Sequence, residues 1–260
     1  RRKARLSFLQ TKVAKMIYIK SDKEIELMRA PCRIVRDALC VAEENLKAGM
    51  TTKELDKIVH EFILSTGAKP SFLGLYGFPA ATCISIDEQV VHGIPSDRII
   101  EEGQIVSVDV GAYLNGFHGD GARSFYVGDI DPEKKRLIEV TKQSFFEGIK
   151  GICIGSCLGD IGAQVQEYAE KNGFSVVRDM VGHGVGRQMH EDPSVPNYGK
   201  RGTGIRLKRN MTIAIEPMIN MGGYEVDIDG WNCVTADGKP SAHYENTVLI
   251  GDNGVEVLTL

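Results

Sequence analysis

Residues 105–110 read IVSVDV, an apolar run typical of a buried strand that nevertheless contains an acid, Asp109. Three more acids stand in similar runs: Glu216 within IAIEPMI (213–219), Asp120 before GARSFYV (121–127), and Glu245 at the start of ENTVLI (245–250). An ionised carboxylate in apolar surroundings is costly unless it is paired, hydrogen-bonded or bound to a cation. Four such acids predict one shared counter-charge, and a bound metal centre is the simplest candidate.

His183, in the glycine-rich run GHGVG (182–186), adds a neutral imidazole and completes a candidate set of five ligands. Two divalent cations would balance the four carboxylates. In two-metal sites the ions lie about 3.5–4 Å apart, share bridging carboxylates and activate a water. Oxygen-rich ligation with one imidazole favours Mn, Fe(II) or Co over structural zinc, which more often uses Cys and His.

Each of these residues taken alone has a purely structural explanation. Asp109 could be a hydrogen-bonded core acid, residues 118–120 a turn, and residues 183–186 a glycine-rich turn with an incidental histidine. The pair Glu216-Pro217 could end an edge strand, since proline cannot donate to the ladder. Together these explanations require four separate burial penalties, so the joint metal site is favoured.

Two further histidines stand beside glycine or proline, His92 in VHGIP (91–95) and His190 in HEDP (190–193). If they flank the metals, they can donate hydrogen bonds to a substrate carbonyl or to a developing oxyanion. The alternative for either one alone is a surface histidine or a satisfied core histidine.

The composition is that of a folded protein with ordinary apolar and charged content. Of 260 residues, 42% are hydrophobic and 25% are charged, and no run of about 18 apolar residues predicts a membrane span. Six cysteines without a CxxC pair favour reduced thiols and a cytoplasmic protein.

The charge is unevenly distributed along the chain. Residues 1–16 carry six bases and no acids, which leaves 25 bases against 35 acids, or −10, in the remainder. Such an acidic body gives no electrostatic case for nucleic-acid binding. We treat 1–15 as a basic N-terminal extension, either a cloning remnant or a surface-binding arm, with the remnant favoured, and 16–260 as the main domain.

Four helices are predicted from capping signals and apolar periodicity. Ser21 and Glu24 have capping-box spacing before a helix that ends near Gly49. The other three run from Thr51 or Thr52 to about Thr66, from Asp131-Pro132 to about Lys150, and from about Leu158 to Asn172. The stretch 192–203, rich in proline and glycine, predicts a surface loop.

The two helix pairs look like copies of each other. The spacing from Gly49 to Gly67 recurs from Gly155 to Gly173, at an offset of 106, and residues 102–109 resemble residues 209–216 at an offset of 107. This predicts an internal duplication, with two α/β halves that face each other and contribute two carboxylates each to a central site.

Seven spaced motifs together resemble the methionine aminopeptidases in their short type I form, from about residue 17 to the end. The motifs are VHGIP (91–95), VDV (108–110), FHGD (117–120), GHGVG (182–186), HEDP (190–193), IEP (215–217) and YENT (244–247). The resemblance implies the α+β (two-layer α/β) pita-bread fold: a single catalytic domain of two pseudo-twofold-related halves with a central curved antiparallel sheet flanked by helices.

The same resemblance implies a role for each candidate residue. Asp109, Asp120, His183, Glu216 and Glu245 would bind two divalent metal ions (Co, Mn or Fe(II), with Zn or Ni as further options), and Asp120 and Glu245 would bridge them. Glu216 would also shuttle protons, while His92 and His190 would contact the substrate and stabilise the tetrahedral intermediate. The implied reaction removes the initiator methionine from nascent polypeptides by attack of a metal-activated water.

The family's methionine pocket maps onto Phe72, Leu75, Phe78, Cys83, Met189 and Trp231. Leu75 and Met189 depart from the tyrosine and phenylalanine that related bacterial enzymes often carry, and Phe72 replaces a frequent cysteine. Ordinary core packing is the alternative, above all for Phe72 and Cys83. The resemblance also implies one monovalent cation, Na or K, near backbone oxygens of Asp87, Gln89 and Ser241.

The implied partners are the N-termini of nascent polypeptides and, transiently, the ribosome. We expect a cytoplasmic monomer that binds neither a membrane nor a specific nucleic acid. Two alternatives stay open: a peptidase directed to Xaa-Pro bonds, whose relatives usually add an N-terminal domain, and a catalytically silent pita-bread protein that binds partners. Type II methionine aminopeptidases carry an insertion between the last two ligand glutamates, whereas only 29 residues separate Glu216 from Glu245 here.

Overall fold

The computed structural model of the chain describes residues 16–260. The basic segment 1–15 lies outside the described residues, so its prediction as a separate extension is not tested.

All four predicted helices are present: α1 (Asp22–Asn45), α2 (Thr52–Ser65), α3 (Pro132–Ile149) and α4 (Leu158–Lys171). Ser21 caps α1 in a reciprocal capping box, in which its side chain accepts from the Glu24 N–H and the Glu24 carboxylate accepts from the Ser21 N–H. Thr51 and Glu54 form the same box at α2. The local sequence therefore fixes where these two helices begin.

The described residues form fifteen strands, several of them short: β1 (Lys69–Pro70), β2 (Thr82–Ile86), β3 (Gln89–Val91), β4 (Ile105–Leu114), β5 (Phe117–Tyr126), β6 (Ser175–Val176), β7 (Gly182–Gly184), β8 (Glu191–Val195), β9 (Thr212–Ile215), β10 (Met218–Asn220), β11 (Val226–Asp229), β12 (Asn232–Thr235), β13 (Ser241–His243), β14 (Glu245–Gly251) and β15 (Gly254–Val257).

One nine-stranded antiparallel sheet spans both halves of the described chain, in the order β1-β4-β5-β14-β9-β7-β8, with β2 on β4 and β15 on β14. Two three-stranded sheets, β13-β10-β6 and β11-β12-β3, lie beside it. Helices α1 and α2 cover β4 and β5 around a core that includes Val35, Leu39 and Leu55. This combination of helices and antiparallel sheet confirms the predicted α+β class.

The predicted internal duplication is visible in the backbone hydrogen bonds. The Gly49 N–H donates to the Ile100 carbonyl at 2.9 Å, and the Gly155 N–H donates to the Leu207 carbonyl at 2.9 Å. The return bonds repeat too, since Ile100 donates to Met50 at 2.8 Å and Leu207 donates to Ser156 at 2.9 Å. These pairs are related by the same offsets of 106 and 107, so the structure confirms that the second half repeats the first.

Three local predictions differ from the structure. Asp120 lies within β5 instead of before a strand. Glu216 and Pro217 lie between strands instead of within one. Strand β9 before them pairs with β14 in the main sheet, and β10 after them pairs with β13 in a separate sheet. Part of the predicted surface loop is strand β8, which pairs with β7. The two strands approach so closely that a Cβ on Gly184 would stand only 2.3 Å from the Asp192 carbonyl oxygen, so glycine is needed there.

No helix within residues 16–260 has both the length and the apolar character needed to cross a membrane.

Gly119 sets the distance between α1 and β5. A Cβ at Gly119 would lie 2.7 Å from the Cys32 nitrogen and 2.9 Å from the Pro31 carbonyl carbon, both backbone atoms of α1. We expect Gly119→Ala to lower the free energy of unfolding by about 1–3 kcal/mol, because helix and strand must separate. Urea unfolding measures this change. The matched control is Gly251→Ala, whose new Cβ would meet its nearest neighbour at an ordinary 3.5 Å. Equal stabilities of the two variants would contradict the close approach.

Candidate metal centre

Three carboxylates lie on one face of three neighbouring strands. In the sheet register Asp109 of β4 pairs with Ala122 of β5, and Ala122 pairs with Glu245 of β14. Side chains in one row of a sheet point to the same face, and Asp120, two residues before Ala122, shares that face. The small side chain of Ala122 therefore separates two acids and leaves space between them.

The second half of the chain supplies the rest of the cluster. His183 of β7 lies with its Nε2 3.4 Å from Asp120 Oδ2 and 3.8 Å from Glu216 Oε1. Candidate ligand atoms of Asp120, His183 and Glu245 all lie within 4.8 Å of one another. All five predicted ligands line one cavity, so the fold brings together residues that span 136 positions of the sequence, from 109 to 245.

The donor atoms fit divalent cations. Within residues 16–260, Asp109 Oδ1, Asp120 Oδ1 and Glu245 Oε1 are buried and have no hydrogen-bond partner. Such groups are costly to leave unsatisfied. Carboxylate oxygens with one imidazole nitrogen form a donor set that suits Mn, Fe(II) or Co, so bound cations would satisfy these buried oxygens.

Burial and charge repulsion make Asp109, Glu216 and Glu245 retain protons more readily when no cation is bound. Burial raises the pKa of Asp109 and of Glu245 well above the usual range, and the charge of Asp120 adds to both shifts. Burial also raises the pKa of Glu216 to about 7, against the opposing effect of His183. A cation that bound at neutral pH would therefore displace protons from these carboxyl groups.

His183 presents one ring nitrogen to the acids. Its Nδ1 lies 2.8 Å from the Gly184 carbonyl oxygen, which only accepts, so Nδ1 carries the proton of the neutral ring. Burial disfavours protonation of Nε2, but the hydrogen bond with Asp120 and the charges of Glu216 and Asp120 outweigh it and raise the pKa of His183 to about 8. A cation in the cluster would take the place of this second proton.

His190 and His92 line the same cavity in neutral form. The His190 ring lies 4.5 Å from the His183 ring in a T-shaped arrangement, and burial together with the charge of His183 lowers the pKa of His190 to about 4. Burial also lowers the pKa of His92, whose ring meets the Trp231 ring edge-on at 5.9 Å. Both imidazoles can therefore donate a hydrogen bond at neutral pH.

The cavity has a volume of about 250 Å³ and joins the acids to an apolar wall. Five of the six predicted pocket residues line it: Phe72, Leu75, Phe78, Cys83 and Trp231. Met189, the sixth, packs within the same apolar cluster but does not line the cavity. It could therefore affect a ligand only by shifting the residues that do line it. The Trp231 ring meets the Phe78 ring edge-on at 5.2 Å, which fixes one side of the cavity.

Sequence reasoning did not select two residues of this site, Tyr76 and His243. Tyr76 lines the cavity mouth, is 73% exposed and stacks on His190 at 5.7 Å. Its only sequence signal is its position between Gly74 and Gly77. His243 is buried with its Nε2 3.8 Å from Glu216 Oε2 and 4.0 Å from Glu245 Oε2. The sequence placed His243 near the ligands but gave no reason to choose it.

The proton-retaining acids predict an unusual pH dependence of the cation-free protein. A raised pKa stabilises the fold while the group is protonated, so the contribution of Glu216 is present below about pH 4.5 and lost as pH rises through about 7. His183 has the same sign, with loss between about 6.5 and 8. We expect the melting temperature of EDTA-treated protein to fall between about pH 5 and 8.5, and Mn²⁺ to abolish that fall. Glu216→Gln is the matched control and should flatten the fall; a curve unchanged in this variant would contradict the assignment.

Known proteins resemble this chain over most of its length. Residues 26–252 match metallopeptidase family M24. The methionine aminopeptidase of Clostridium perfringens is 54% identical over 247 residues, which cover 94% of this chain and 99% of that protein. The crystal structure of methionine aminopeptidase from Rickettsia prowazekii superposes with a TM-score of 0.92 at 43% identity, covering 94% of this chain and 100% of that one.

A second group of structures shares the fold at greater distance. The prolidase from Pyrococcus furiosus superposes with a TM-score of 0.76 at 26% identity and covers 93% of this chain, but only 65% of the prolidase is matched. The curled antiparallel sheet with its four helices is thus the pita-bread fold implied by the sequence motifs. With five potential metal ligands in one cavity and relatives matched almost end to end, this chain belongs to metallopeptidase family M24, among the methionine aminopeptidases.

Proposed function

We propose that this protein is a dinuclear metal-dependent aminopeptidase that removes the initiator methionine from nascent polypeptides. The observation that carries the proposal is a cavity of about 250 Å³ with potential metal ligands from both halves of the chain on one side and an apolar wall on the other. A substrate with a free amino terminus and an unbranched apolar first side chain matches both parts. The name of the Clostridium perfringens relative supports this choice of substrate.

Asp109, Asp120, His183, Glu216 and Glu245 would hold the two cations, with Asp120 and Glu245 shared between them. Bound divalent ions supply Lewis acidity at the scissile carbonyl and lower the pKa of water, so that hydroxide is available at neutral pH. The unsatisfied buried oxygens of Asp109, Asp120 and Glu245 support this ligand set.

Glu216 is the residue best suited to move a proton in the reaction. Its carboxylate lines the cavity, and a positioned carboxylate can accept and release a proton in the transition state. It lies at the end of β9, opposite His183, and its second oxygen faces His243. We assign to Glu216 the transfer of a proton from the attacking water to the leaving amine.

His92 and His190 are assigned to substrate binding and to the oxyanion. Both are neutral at pH 7 and can donate a hydrogen bond without adding a charge to a centre already rich in ionisable groups. The contact between the His190 ring and the ring of His183, a proposed ligand, supports this role, because charge on a substrate carbonyl would develop near the ligands.

Phe72, Leu75, Phe78, Cys83 and Trp231 are assigned to the methionine side chain, and Met189 to the layer behind them. Burial raises the pKa of Cys83 well above its usual value, so the thiol stays neutral and adds to the apolar wall. Methionine is flexible and polarisable, and its sulfur makes favourable contacts with aromatic rings.

The remaining proposals concern details that membership of the family does not determine. We propose Co, Mn or Fe(II) as the metal, with Zn and Ni as further options, a single catalytic domain over 16–260, and a monomer in the cytoplasm that transiently contacts the ribosome. A monovalent Na or K ion near Asp87, Gln89 and Ser241 stays a prediction. The Ser241 N–H donates to the Asp87 carbonyl at 2.8 Å, which brings these segments together, and the Lys134 ammonium already lies 2.7 Å from Asp87 Oδ1.

The test is release of methionine from a Met-Gly-containing tripeptide by EDTA-treated protein reloaded with Mn, Fe(II) or Co in turn. We expect release with at least one metal and none in EDTA. Absence of release with every metal would favour a silent binding protein, and a preference for Xaa-Pro substrates would favour a prolidase-like activity. Glu216→Ala should abolish release because it removes a ligand and the proton carrier. The control Glu61→Ala, an exposed acid on α2 that lies 3.8 Å from Lys57, should retain full activity.

The role of His190 gives a separate prediction. We expect His190→Ala to lower kcat by about 10²-fold, because one donor to the developing oxyanion is lost. Metal content, measured on the purified variant, should stay at the level of the unaltered protein, since His190 is not among the proposed ligands. His60→Ala, on α2 away from the cavity lining, is the matched control. Loss of metal from the His190 variant would instead make His190 a ligand.

A further inference from the structure

The two halves of the main sheet meet at a short join. Strand β5 of the first half and β14 of the second pair over two residue pairs, Ala122 with Glu245 and Gly121 with Asn246. By contrast β4 and β5 pair over ten. The position of Glu245 relative to Asp109 and Asp120 is therefore set across a join that contributes few ladder hydrogen bonds of its own.

Arg123 spans this join on the face of the sheet opposite the cavity. Its Nη1 donates to the Ala122 carbonyl at 2.8 Å and to the Glu245 carbonyl at 2.5 Å, the two members of one cross-strand pair. Its Nη2 donates to Asn246 Oδ1 at 2.7 Å and to the Thr259 carbonyl at 3.2 Å. One guanidinium thus bonds both strands of the join and the chain segment that follows them.

The surroundings of Arg123 hold the guanidinium in a single place. Its Cζ lies 4.2 Å from the centre of the Tyr244 ring, a cation–π distance. The four oxygen acceptors are carbonyl or amide groups and none of them carries a full charge. Burying a cation is costly unless its donors are satisfied, and here four oxygen acceptors and one aromatic ring satisfy the guanidinium.

Thr247, two residues after Glu245, also forms hydrogen bonds across this join. Its hydroxyl accepts from the Asp120 N–H at 3.0 Å and donates to the Asp120 carbonyl at 2.9 Å. Arg123 therefore holds the backbone of Glu245, and Thr247 holds the backbone of Asp120. These are the two residues that the proposed function assigns to both cations.

We propose that Arg123 is a positioning residue of the metal centre, a clamp that holds the backbone of Glu245 against β5 so that Glu245 and Asp120 can share a cation. This inference rests on the proposed function, because it needs the dinuclear centre. Residues that orient metal ligands typically change metal affinity about 10–100-fold when they are mutated. We therefore expect Arg123→Met to weaken Mn²⁺ binding by about tenfold or more.

Three variants of the full chain test the clamp. Arg123→Met keeps the length of the side chain and removes all its donors, and Arg123→Lys keeps the charge but loses the fork that reaches several acceptors at once. The control Arg136→Met removes a guanidinium of α3 that stacks on Phe174 at 4.8 Å and does not line the cavity. Calorimetric titration of each metal-free protein with Mn²⁺ gives the dissociation constants, and we expect the lysine variant to lie between the other two.

Thermal unfolding separates positioning from a merely structural role. If Arg123 only stabilised the sheet, Arg123→Met would lower the melting temperature equally with and without Mn²⁺ and leave the dissociation constant unchanged. The clamp predicts a smaller Mn²⁺-dependent rise in melting temperature, because weaker binding stabilises less. If the methionine variant fails to fold, the dissociation constant of Arg123→Lys decides.

Two different failures are distinguishable. Unaltered protein that takes up no Mn²⁺ would overturn the proposed function and the clamp with it. Unaltered protein that binds Mn²⁺, with both Arg123 variants within about twofold of it, would overturn the clamp alone and leave the proposed function standing.

Discussion

The cost of burying several carboxylates side by side is the main physical constraint on this structure. Asp120 and Glu245 are 3% and 2% exposed, and each leaves an oxygen without a hydrogen-bond partner in the part of the chain that the structure describes. Protons or cations must neutralise the cluster, since mutual repulsion and lost hydration otherwise oppose folding. The raised pKa values of Asp109, Glu216 and Glu245 correspond to neutralisation by protons, and divalent metal, which the family uses, would neutralise the cluster instead.

The internal duplication explains how so many acids converge. Each half contributes a strand with an acid at the equivalent position, Asp109 in β4 and Glu216 directly after β9, at the offset of 107. The halves face each other across the β5–β14 join, where Asp120 and Glu245 meet. Neither half holds the whole ligand set, so the site exists only once both have folded and joined. Arg123 and Thr247, which bond across the join, link the stability of the sheet to the geometry of the centre.

The burial that raises the pKa values of the acids also sets the protonation states of the other groups in the cavity. It keeps His92 and His190 neutral as donors, and it keeps the Cys83 thiol protonated within an apolar wall. A low-dielectric cavity strengthens each polar contact made inside it. One environment therefore serves both the charged chemistry assigned to the ligands and the apolar recognition assigned to Phe78 and Trp231.

The sequence by itself determined the local features. The boxes at Ser21 and Thr51 determined where two helices begin, because capping is a matter of neighbouring residues. Acids within apolar runs predicted a metal centre, because a buried charge needs a counter-charge. Only the tertiary structure decided that Glu216 sits where the chain changes sheets and that Arg123 contacts Glu245, a residue 122 positions away. Periodicity encodes which face a side chain takes, but it carries no information about the partner that a distant strand will bring to that face.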